Sequence, residues 1–210
     1  MIRTRVKLCG ITRPEDAAIA VKYGVDAIGL VFYAPSPRNV SITQAVHIAR
    51  HIPAFVTIVA LFVNAEPHFI RQVIAEVKPT LLQFHGDETP AECAQYTLPY
   101  IKAIRVKPDT NLIQYANDFN EAKALLLDAF TEGVVGGTGH QFDWNLIPDI
   151  LTKPIVLAGG LNAENVAIAI AQKRPFAVDV SGGVEFAKGV KCELKIAQFM
   201  QQVVMQSEPS

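Results

Sequence analysis

The sequence predicts an α/β fold, a parallel eight-stranded (β/α)8 barrel of the TIM type, formed as a single domain over residues 1–210. Short apolar runs alternate with longer amphipathic segments, and there are eight of each. This alternation is typical of parallel strands whose faces are covered by helices. No linker rich in proline, glycine or serine divides the chain, so one domain is expected. A doubly wound open sheet is the structural alternative.

The predicted strands follow one another along the whole chain. They are the runs at 5–9, 26–32, 55–63, 80–84, 100–106, 122–130, 154–160 and 176–182. The predicted helices begin near Pro14, Thr43, Glu66, Pro90, Asn111, Trp144, Asn162 and Lys191. Proline favours the first turn of a helix, which supports the starts at Pro14 and Pro90. The fifth helix has the weakest pattern because its segment is short and polar.

Composition and charge argue against several classes of protein. Half of the residues are hydrophobic, so a disordered chain is not expected. The formal net charge of −1 provides no general attraction for nucleic acid or for an acidic membrane surface. The longest apolar run, "FVTIVALFV", is about half the length of a membrane span, and "MIRTRVKLCG" lacks the apolar segment of a signal peptide. Three cysteines without pairing or metal-ligand spacing indicate free thiols in a reducing compartment, and we expect a cytoplasmic protein.

Polar side chains at the carboxyl ends of the strands are the first candidates for a functional site, because barrel enzymes place their active groups there. Side chains alternate between the two faces of a strand, which directs Lys7 and Cys9 of "RVKLC" into the barrel. The same alternation directs Asp128 of "LLLDAF" inwards, together with Asp179 and Ser181 of "FAVDVSG". We therefore predict that these side chains converge on a common space.

Each of these residues also has an ordinary structural interpretation. A cysteine that ends an apolar strand is usually a small buried hydrophobic side chain. An aspartate in that place often caps the following turn, and Lys7 can extend its stem to the end of the barrel. The histidines show no ligand spacing, so no metal ion is expected. Only the convergence of Cys9 with Asp128 favours a catalytic interpretation.

Glycine pairs follow the last two predicted strands, in "LAGGL" and "VSGGVE". Glycine lets backbone N–H groups approach an anion closely, and the loops after strands seven and eight are a frequent phosphate site of this barrel. The alternative is that the glycines only form tight turns. We predict a phosphate site formed by Gly159, Gly160, Ser181, Gly182 and Gly183.

Two further loops carry candidate substrate-binding residues. Arg38 lies in "APSPRNVS", where a guanidinium can hold a carboxylate through two parallel hydrogen bonds. His85 lies in "LQFHGDE", where an imidazole can orient a substrate or carry a proton. Either residue can equally be an ordinary loop residue. The glycine-rich segment at 134–144 is not a dinucleotide-binding fingerprint, because Phe142 stands where the third glycine belongs.

Segments along nearly the whole chain resemble the phosphoribosylanthranilate isomerases of tryptophan biosynthesis. They are "KLCGITRPEDA", "GLVFYAPSPRNVS", "LQFHGDE", "LLLDAF", "GGTGHQFDW", "LAGGLNAENV" and "DVSGGVE". The resemblance implies a (β/α)8 fold and an Amadori rearrangement that needs no cofactor. The substrate is N-(5′-phosphoribosyl)anthranilate and the product is 1-(2-carboxyphenylamino)-1-deoxyribulose 5-phosphate.

The resemblance also implies roles for individual residues. Cys9 matches the general base of the family, Asp128 its general acid, and Arg38 the arginine that binds the anthranilate carboxylate. The glycine loops match its phosphate site, and we predict His85 and Asp179 as further substrate-binding residues. In this chemistry Asp128 protonates the ring oxygen, and burial favours the protonated carboxyl that this requires. Cys9 as thiolate then removes the C2′ hydrogen, aided in our hypothesis by the neighbouring cation Lys7.

Two segments depart from the pattern of the family. Gly182 stands where many members have serine, and "KGVKC" at 188–192 stands where many have Pro-Gly-x-Lys-Asp. Neither departure affects Cys9 or Asp128.

Two other functions remain open at this point. A histidine-pathway aminoaldose isomerase also performs an Amadori rearrangement, but its family is expected to carry aspartate at the position of Cys9. A barrel that binds a phosphorylated ligand without turnover is the second alternative, because a fold does not guarantee activity. In every case we expect a small phosphorylated ligand, no nucleic-acid or membrane partner, and a monomer or homodimer.

Overall fold

The computed structural model describes residues 3–129 and 143–206. Within these ranges, eight parallel strands close into a barrel in chain order. The strands are Arg5–Cys9 (β1), Ala27–Phe32 (β2), Thr57–Phe62 (β3), Leu81–Phe84 (β4), Tyr100–Val106 (β5), Leu125–Ala129 (β6), Ile155–Leu157 (β7) and Ala177–Val180 (β8). The pairing of β1 with β8, in which Lys7 lies opposite Asp179, closes the barrel. The predicted barrel is thereby confirmed over the open sheet.

Helices on the outside of the barrel connect most of the strands. They are Pro14–Lys22 (α1), Ile42–Ala49 (α2), Pro67–Val77 (α3), Pro90–Ala94 (α4), Leu112–Asp118 (α5), Val166–Lys173 (α6) and Glu193–Met205 (α7). The starts of α1 to α5 lie within one residue of the predicted ones, because proline and capping side chains mark them, as where the Ser41 hydroxyl accepts the Gln44 N–H before α2. The prediction for α6 is wrong by four residues, since the helix starts at Val166 and not at Asn162. In the described ranges, no helix has both the length and the apolar character needed to cross a membrane.

The helix predicted to begin near Trp144 is wrong for the described residues, which form only the 3₁₀ turn Trp144–Leu146. Pro148 follows directly after Ile147, and a residue before proline avoids the helical conformation. A two-stranded hairpin of Glu185–Ala187 (β9) and Val190–Lys191 (β10) precedes α7 and was not predicted. It displaces the start of the last helix from the predicted Lys191 to Glu193.

The core has separate layers outside and inside the barrel. Between strands and helices lies a large apolar layer that contains Leu8, Leu30 and Phe84, each almost completely buried. Inside the barrel, Ile101 and Leu126 belong to a smaller apolar cluster. The opposite parity of Leu8 and Cys9 agrees with the predicted alternation along β1.

Candidate active site

A cavity of about 270 Å³ lies at the carboxyl-terminal end of the barrel. The residues predicted for the site all line it: Cys9, Arg38, His85, Asp128, Gly159, Gly160, Asp179, Ser181, Gly182 and Gly183. They come from different strands and loops, and the closure of the barrel brings them together. The glycine-rich segment singled out at 134–144 lies, up to residue 142, outside the described residues.

Cys9 ends β1 as a buried thiol, 7% exposed, beside a buried ion pair. In that pair, Lys7 Nζ lies 2.9 Å from Asp179 Oδ1. Burial raises the pKa of the Cys9 thiol, while the ammonium of Lys7 lowers it in part. Although burial opposes it, the carboxylate of Asp179 and the thiol raise the pKa of Lys7 to about 12, so the ammonium stays charged. Lys7 therefore favours the thiolate, as hypothesised, but does not cancel the effect of burial.

Asp128 is a buried carboxyl, 6% exposed, near the end of β6. Its Oδ1 accepts a hydrogen bond of 2.9 Å from the N–H of Ala129, and its Oδ2 lies 3.2 Å from His85 Nε2. That distance suits a hydrogen bond but the direction does not, since Nε2 has no hydrogen-bond partner among the described residues. His85 thus touches the carboxyl and restricts its orientation without a hydrogen bond between Nε2 and the carboxyl in this arrangement.

Gln83 supports this arrangement and was not predicted as a site residue. Its side-chain nitrogen lies 3.0 Å from His85 Nδ1, and it is fully buried inside the barrel. Which tautomer His85 adopts depends on how the Gln83 amide is turned. The signal for Gln83 in the sequence was a polar residue two positions before His85 in an otherwise apolar strand, which places both on the inner face.

Arg38 lies in the loop after β2 and forms a two-pronged ion pair within the protein. Its Nε and Nη2 donate to Glu185 Oε1 and Oε2 at 2.7 and 2.8 Å. Nη1 and the second hydrogen of Nη2 take no part in this pair, so Arg38 keeps donors for a further anion. Sequence reasoning missed Glu185, whose only signal was an acidic residue close behind a glycine pair.

The loops after β7 and β8 have the backbone form that an anion site requires. Gly159 and Gly160 both adopt positive φ, 83° and 65°, which side-chain-bearing residues rarely do. Gly182–Val184 forms a single 3₁₀ turn. Among the described residues, the backbone N–H groups of Gly160, Gly182 and Gly183 donate to no protein acceptor. These donors support the phosphate interpretation, which stays a prediction.

We expect opposite tolerance to alanine at the two neighbouring glycines of the β8 loop. A Cβ on Gly183 would run into the carbonyl oxygen of Leu161, whereas a Cβ on Gly182 would meet only the flexible end of Arg38, at 3.3 Å. Gly183→Ala should therefore lower the free energy of unfolding by about 1–3 kcal/mol, because a fixed backbone cannot give way. Gly182→Ala, the matched control, should change it by no more than about 0.5 kcal/mol. Urea unfolding of both variants checks this, and equal losses would contradict it.

A closed (β/α)8 barrel with a buried thiol and a buried carboxyl in one cavity, rimmed by glycine loops after β7 and β8, defines a class of protein. It is the class of barrel enzymes that act on small phosphorylated compounds by acid–base chemistry.

Comparison with known proteins narrows this class to one family. The family model described as N-(5′-phosphoribosyl)anthranilate isomerase matches residues 6–202. The isomerase of that name from Nitrosococcus oceani is 55% identical over 202 residues, covering 96% of this chain and 98% of the relative. The one from Pseudomonas putida is 55% identical over 203 residues, covering 97% and 98%. The chain belongs to the N-(5′-phosphoribosyl)anthranilate isomerase family.

Solved structures agree with this assignment. The crystal structure of phosphoribosyl anthranilate isomerase from Thermotoga maritima has a TM-score of 0.88 at 40% identity, covering 96% of this chain and 99% of that one. A further isomerase structure, 37% identical with a TM-score of 0.82 over 96% and 99%, contains reduced 1-(o-carboxyphenylamino)-1-deoxyribulose 5-phosphate. The Thermotoga maritima protein is also described as dimeric, in a structure of monomers generated from it.

Proposed function

We propose that this chain isomerises N-(5′-phosphoribosyl)anthranilate to 1-(2-carboxyphenylamino)-1-deoxyribulose 5-phosphate in tryptophan biosynthesis, with Asp128 as general acid and Cys9 as general base. The observation that carries the proposal is that both side chains are buried and line one cavity. They reach it from β6 and β1, so a substrate between them meets an acid and a base from different parts of the barrel wall.

Asp128 begins the reaction by protonating the ring oxygen of the ribose. The bond between this oxygen and C1′ breaks, the furanose opens, and the electron pair of the anthranilate nitrogen forms an iminium at C1′. Asp128 lines the cavity with only 6% of its surface exposed, so its carboxyl can meet the ring oxygen directly. His85, 3.2 Å from Asp128 Oδ2, is placed to influence the return of the proton to the carboxylate.

Cys9 completes the rearrangement as a thiolate. The iminium acidifies the hydrogen on C2′, and the thiolate removes it, so that its electron pair forms the double bond of an enol-amine. Transfer of the enol proton to C1′ then gives the ketone. The oxidation of C2′ balances the reduction of C1′, and the proton gained by Cys9 balances the one given by Asp128.

Two anion sites at the cavity rim would hold the substrate across the acid and the base. The glycine loops after β7 and β8 bind the phosphate through backbone N–H groups, and the free donors of Arg38 bind the anthranilate carboxylate. Fixing both ends of the substrate keeps the reacting atoms in line with the catalytic groups, an effect that contributes a large share of the rate in well-oriented reactions. Asp179 lines the same cavity and contributes through its ion pair with Lys7.

Loss of anthranilate-derived fluorescence on mixing with freshly made substrate tests the proposed function. Turnover of this substrate, with none or far less of the histidine-pathway aminoaldose phosphate, supports it. Preference for the second substrate would assign the chain to the other Amadori reaction. Calorimetric binding without any fluorescence loss would favour the non-catalytic barrel.

Lys7→Met should move the rising limb of the kcat/KM profile to higher pH. The sign follows from the charges: the ammonium favours the thiolate, so its removal raises further a pKa of Cys9 that burial already raises. Below that pKa, each unit of increase lowers the thiolate fraction about tenfold. The measurement is kcat/KM from about pH 6 to about pH 10.

Lys102→Met is the matched control for this experiment. It also removes a buried ammonium from an ion pair, in which Lys102 lies 2.7 Å from Glu88. Lys102, however, is not one of the groups that shift the pKa of Cys9. The kcat/KM of this variant should rise over the same pH range as that of the parent protein. If kcat/KM of Lys7→Met rose over the same pH range as that of the parent protein, the hypothesis that Lys7 favours the Cys9 thiolate would be ruled out.

We extend the proposal to the surroundings of the enzyme. The phosphorylated substrate is its only small-molecule partner, and no nucleic acid or membrane takes part. The chain forms a single domain, and the protein works in the cytoplasm as a monomer or homodimer. Light scattering coupled to size-exclusion chromatography distinguishes the two stoichiometries.

A further inference from the structure

A buried charged cluster lies behind one wall of the cavity and consists of Arg38, Glu185 and Lys191. Lys191 Nζ lies 3.0 Å from Glu185 Oε1, the same oxygen that accepts from Arg38 Nε at 2.7 Å. The side chain of Lys191 has no exposed surface, and that of Glu185 is 6% exposed. The hairpin β9–β10, which carries Glu185 and Lys191, is therefore tied to the loop after β2 through charges with little access to water.

Lys191 also reaches the residue proposed as the base. Its Nζ donates to the backbone carbonyl of Cys9 at 2.6 Å and to that of Ser181 at 3.2 Å. The Ser181 hydroxyl donates to the same Cys9 carbonyl at 3.0 Å. Two donors thus hold the carbonyl of Cys9 at the tip of β1, where the chain turns through Gly10 at a φ of 74°.

The orientation of Arg38 depends on the same cluster. Glu185 occupies the Nε edge of the guanidinium, which leaves Nη1 and one hydrogen of Nη2 for the cavity that Arg38 lines. The aliphatic stem of Arg38 passes so close to Gly10 that a Cβ there would run into Arg38 Cδ. Arg38 is therefore confined from both sides.

A buried ammonium is costly unless it is fully bonded, and removing one member of such a cluster leaves an unpaired charge. Burial lowers the pKa of Lys191, and Glu185 opposes this shift. The three best contacts of Nζ use its three hydrogens, on Cys9, Ser181 and Glu185. Two of these partners, Cys9 and Ser181, line the cavity, and the third, Glu185, pairs with Arg38, which also lines it.

We propose that Lys191 and Glu185 are positioning residues. Lys191 holds the tip of β1, and with it the Cys9 thiol, while Glu185 holds the guanidinium of Arg38. Together they fix the distance between the base and the group that binds the carboxylate. The proposal rests on the proposed function, because that function assigns the roles of Cys9 and Arg38. Neither residue touches the reacting atoms.

Steady-state kinetics of Lys191→Met and Glu185→Gln separate the two positioning roles. Misplacement of a catalytic group by about 1 Å costs on the order of 10²-fold, so Lys191→Met should lower kcat by about 10- to 100-fold with KM within about threefold of the parent. Glu185→Gln should chiefly raise KM, by about tenfold, because Arg38 loses its anchor. Lys195→Met, which removes a 2.8 Å contact with the backbone carbonyl of Glu185, is the control and should change neither constant by more than about threefold.

A purely structural role predicts a different result for the same variants. Lys191→Met would then unfold at a lower temperature but keep the parental kcat in its folded fraction, which would overturn the proposal. If Lys191→Met does not fold, Ser181→Ala and Lys191→Gln decide. The first removes the other donor to the Cys9 carbonyl and no charge, and the second keeps a donor in place of the ammonium. A parental kcat for both variants would also overturn the proposal.

Alkylation of Cys9 by iodoacetamide keeps this test separate from the proposed function. The rate is followed at fixed pH in a Cys192→Ser background by mass spectrometry of the Cys9 peptide, and needs no turnover. Lys191→Met should alkylate more slowly by about threefold or more, because the nearby cation favours the thiolate. An unchanged rate would overturn the proposal even if the parent protein turned over the expected substrate. A changed rate in a protein without turnover would retain the contact of Lys191 with Cys9 and reject the reaction.

Discussion

Cys9→Ala is expected to lower kcat by on the order of 10³-fold while the barrel stays folded. Alanine removes only the sulfur from a side chain that is 7% exposed at the end of β1, so the backbone and both proposed anion sites remain. Without the thiolate, the C2′ hydrogen of the iminium can pass only to water or to a poorly placed side chain. KM should change little, because the phosphate and carboxylate sites do not include the thiol.

Two serine variants provide the controls for this prediction. Cys192→Ser exchanges sulfur for oxygen at the N-cap of α7, where serine is a favoured residue, and should keep the parental kcat. Cys9→Ser tests chemistry against packing, because it restores the volume but not the acidity of the thiol, and should remain as impaired as Cys9→Ala. A Cys9→Ala variant with near-parental turnover would remove Cys9 as the base.

Asp128→Asn is expected to lower kcat by on the order of 10²- to 10⁴-fold. Asparagine preserves the size of the side chain and can still accept the N–H of Ala129, but it has no proton to give to the ring oxygen. Ring opening then becomes the slow step, so anthranilate-derived fluorescence should persist in a substrate that is bound and unopened. Steady-state turnover and single-turnover fluorescence with excess enzyme measure the two effects.

Asp87→Asn is the matched control. Asp87 follows β4 on the same end of the barrel, but its side chain is 77% exposed and pairs with Arg105 at the surface. A surface ion pair of this kind contributes roughly 0–1 kcal/mol, so this variant should retain parental kinetics and stability. If Asp128→Asn and Asp87→Asn had the same turnover, Asp128 would not be the acid.

The inward parity of the site residues was predictable from local geometry. Because side chains alternate along any strand, the pattern of "RVKLC" places Cys9 and Lys7 on one face before anything is known of the other strands. The same holds for Asp128 in β6 and for Asp179 in β8, and the structure agrees in each case. The glycine loops were predictable for a similar reason, since a short strand that ends in two glycines must turn there.

The side-chain contacts from Gln83 to His85 and from His85 to Asp128 were only partly predictable. The sequence predicts that Gln83 in β4 and His85 directly after it lie on the same face, but their approach to β6 depends on the curvature of the closed barrel. The helix predicted to begin near Trp144 is absent from the described residues for another reason. Its apolar pattern favoured a helix, and the proline at 148 interrupted it after one turn.

The sequence by itself determined the alternation of strands and helices, the inward faces of the strands and the acid, base and phosphate candidates, because each depends on residues within one strand, helix or turn. Only the tertiary structure decided how these groups are held. The pair of Arg38 with Glu185 spans 147 residues, and the contact of Lys191 with the Cys9 carbonyl spans 182. Such contacts form where β1 meets β8 and the last hairpin folds back over the first loops. No local periodicity records them, because their partners become neighbours only when the barrel closes.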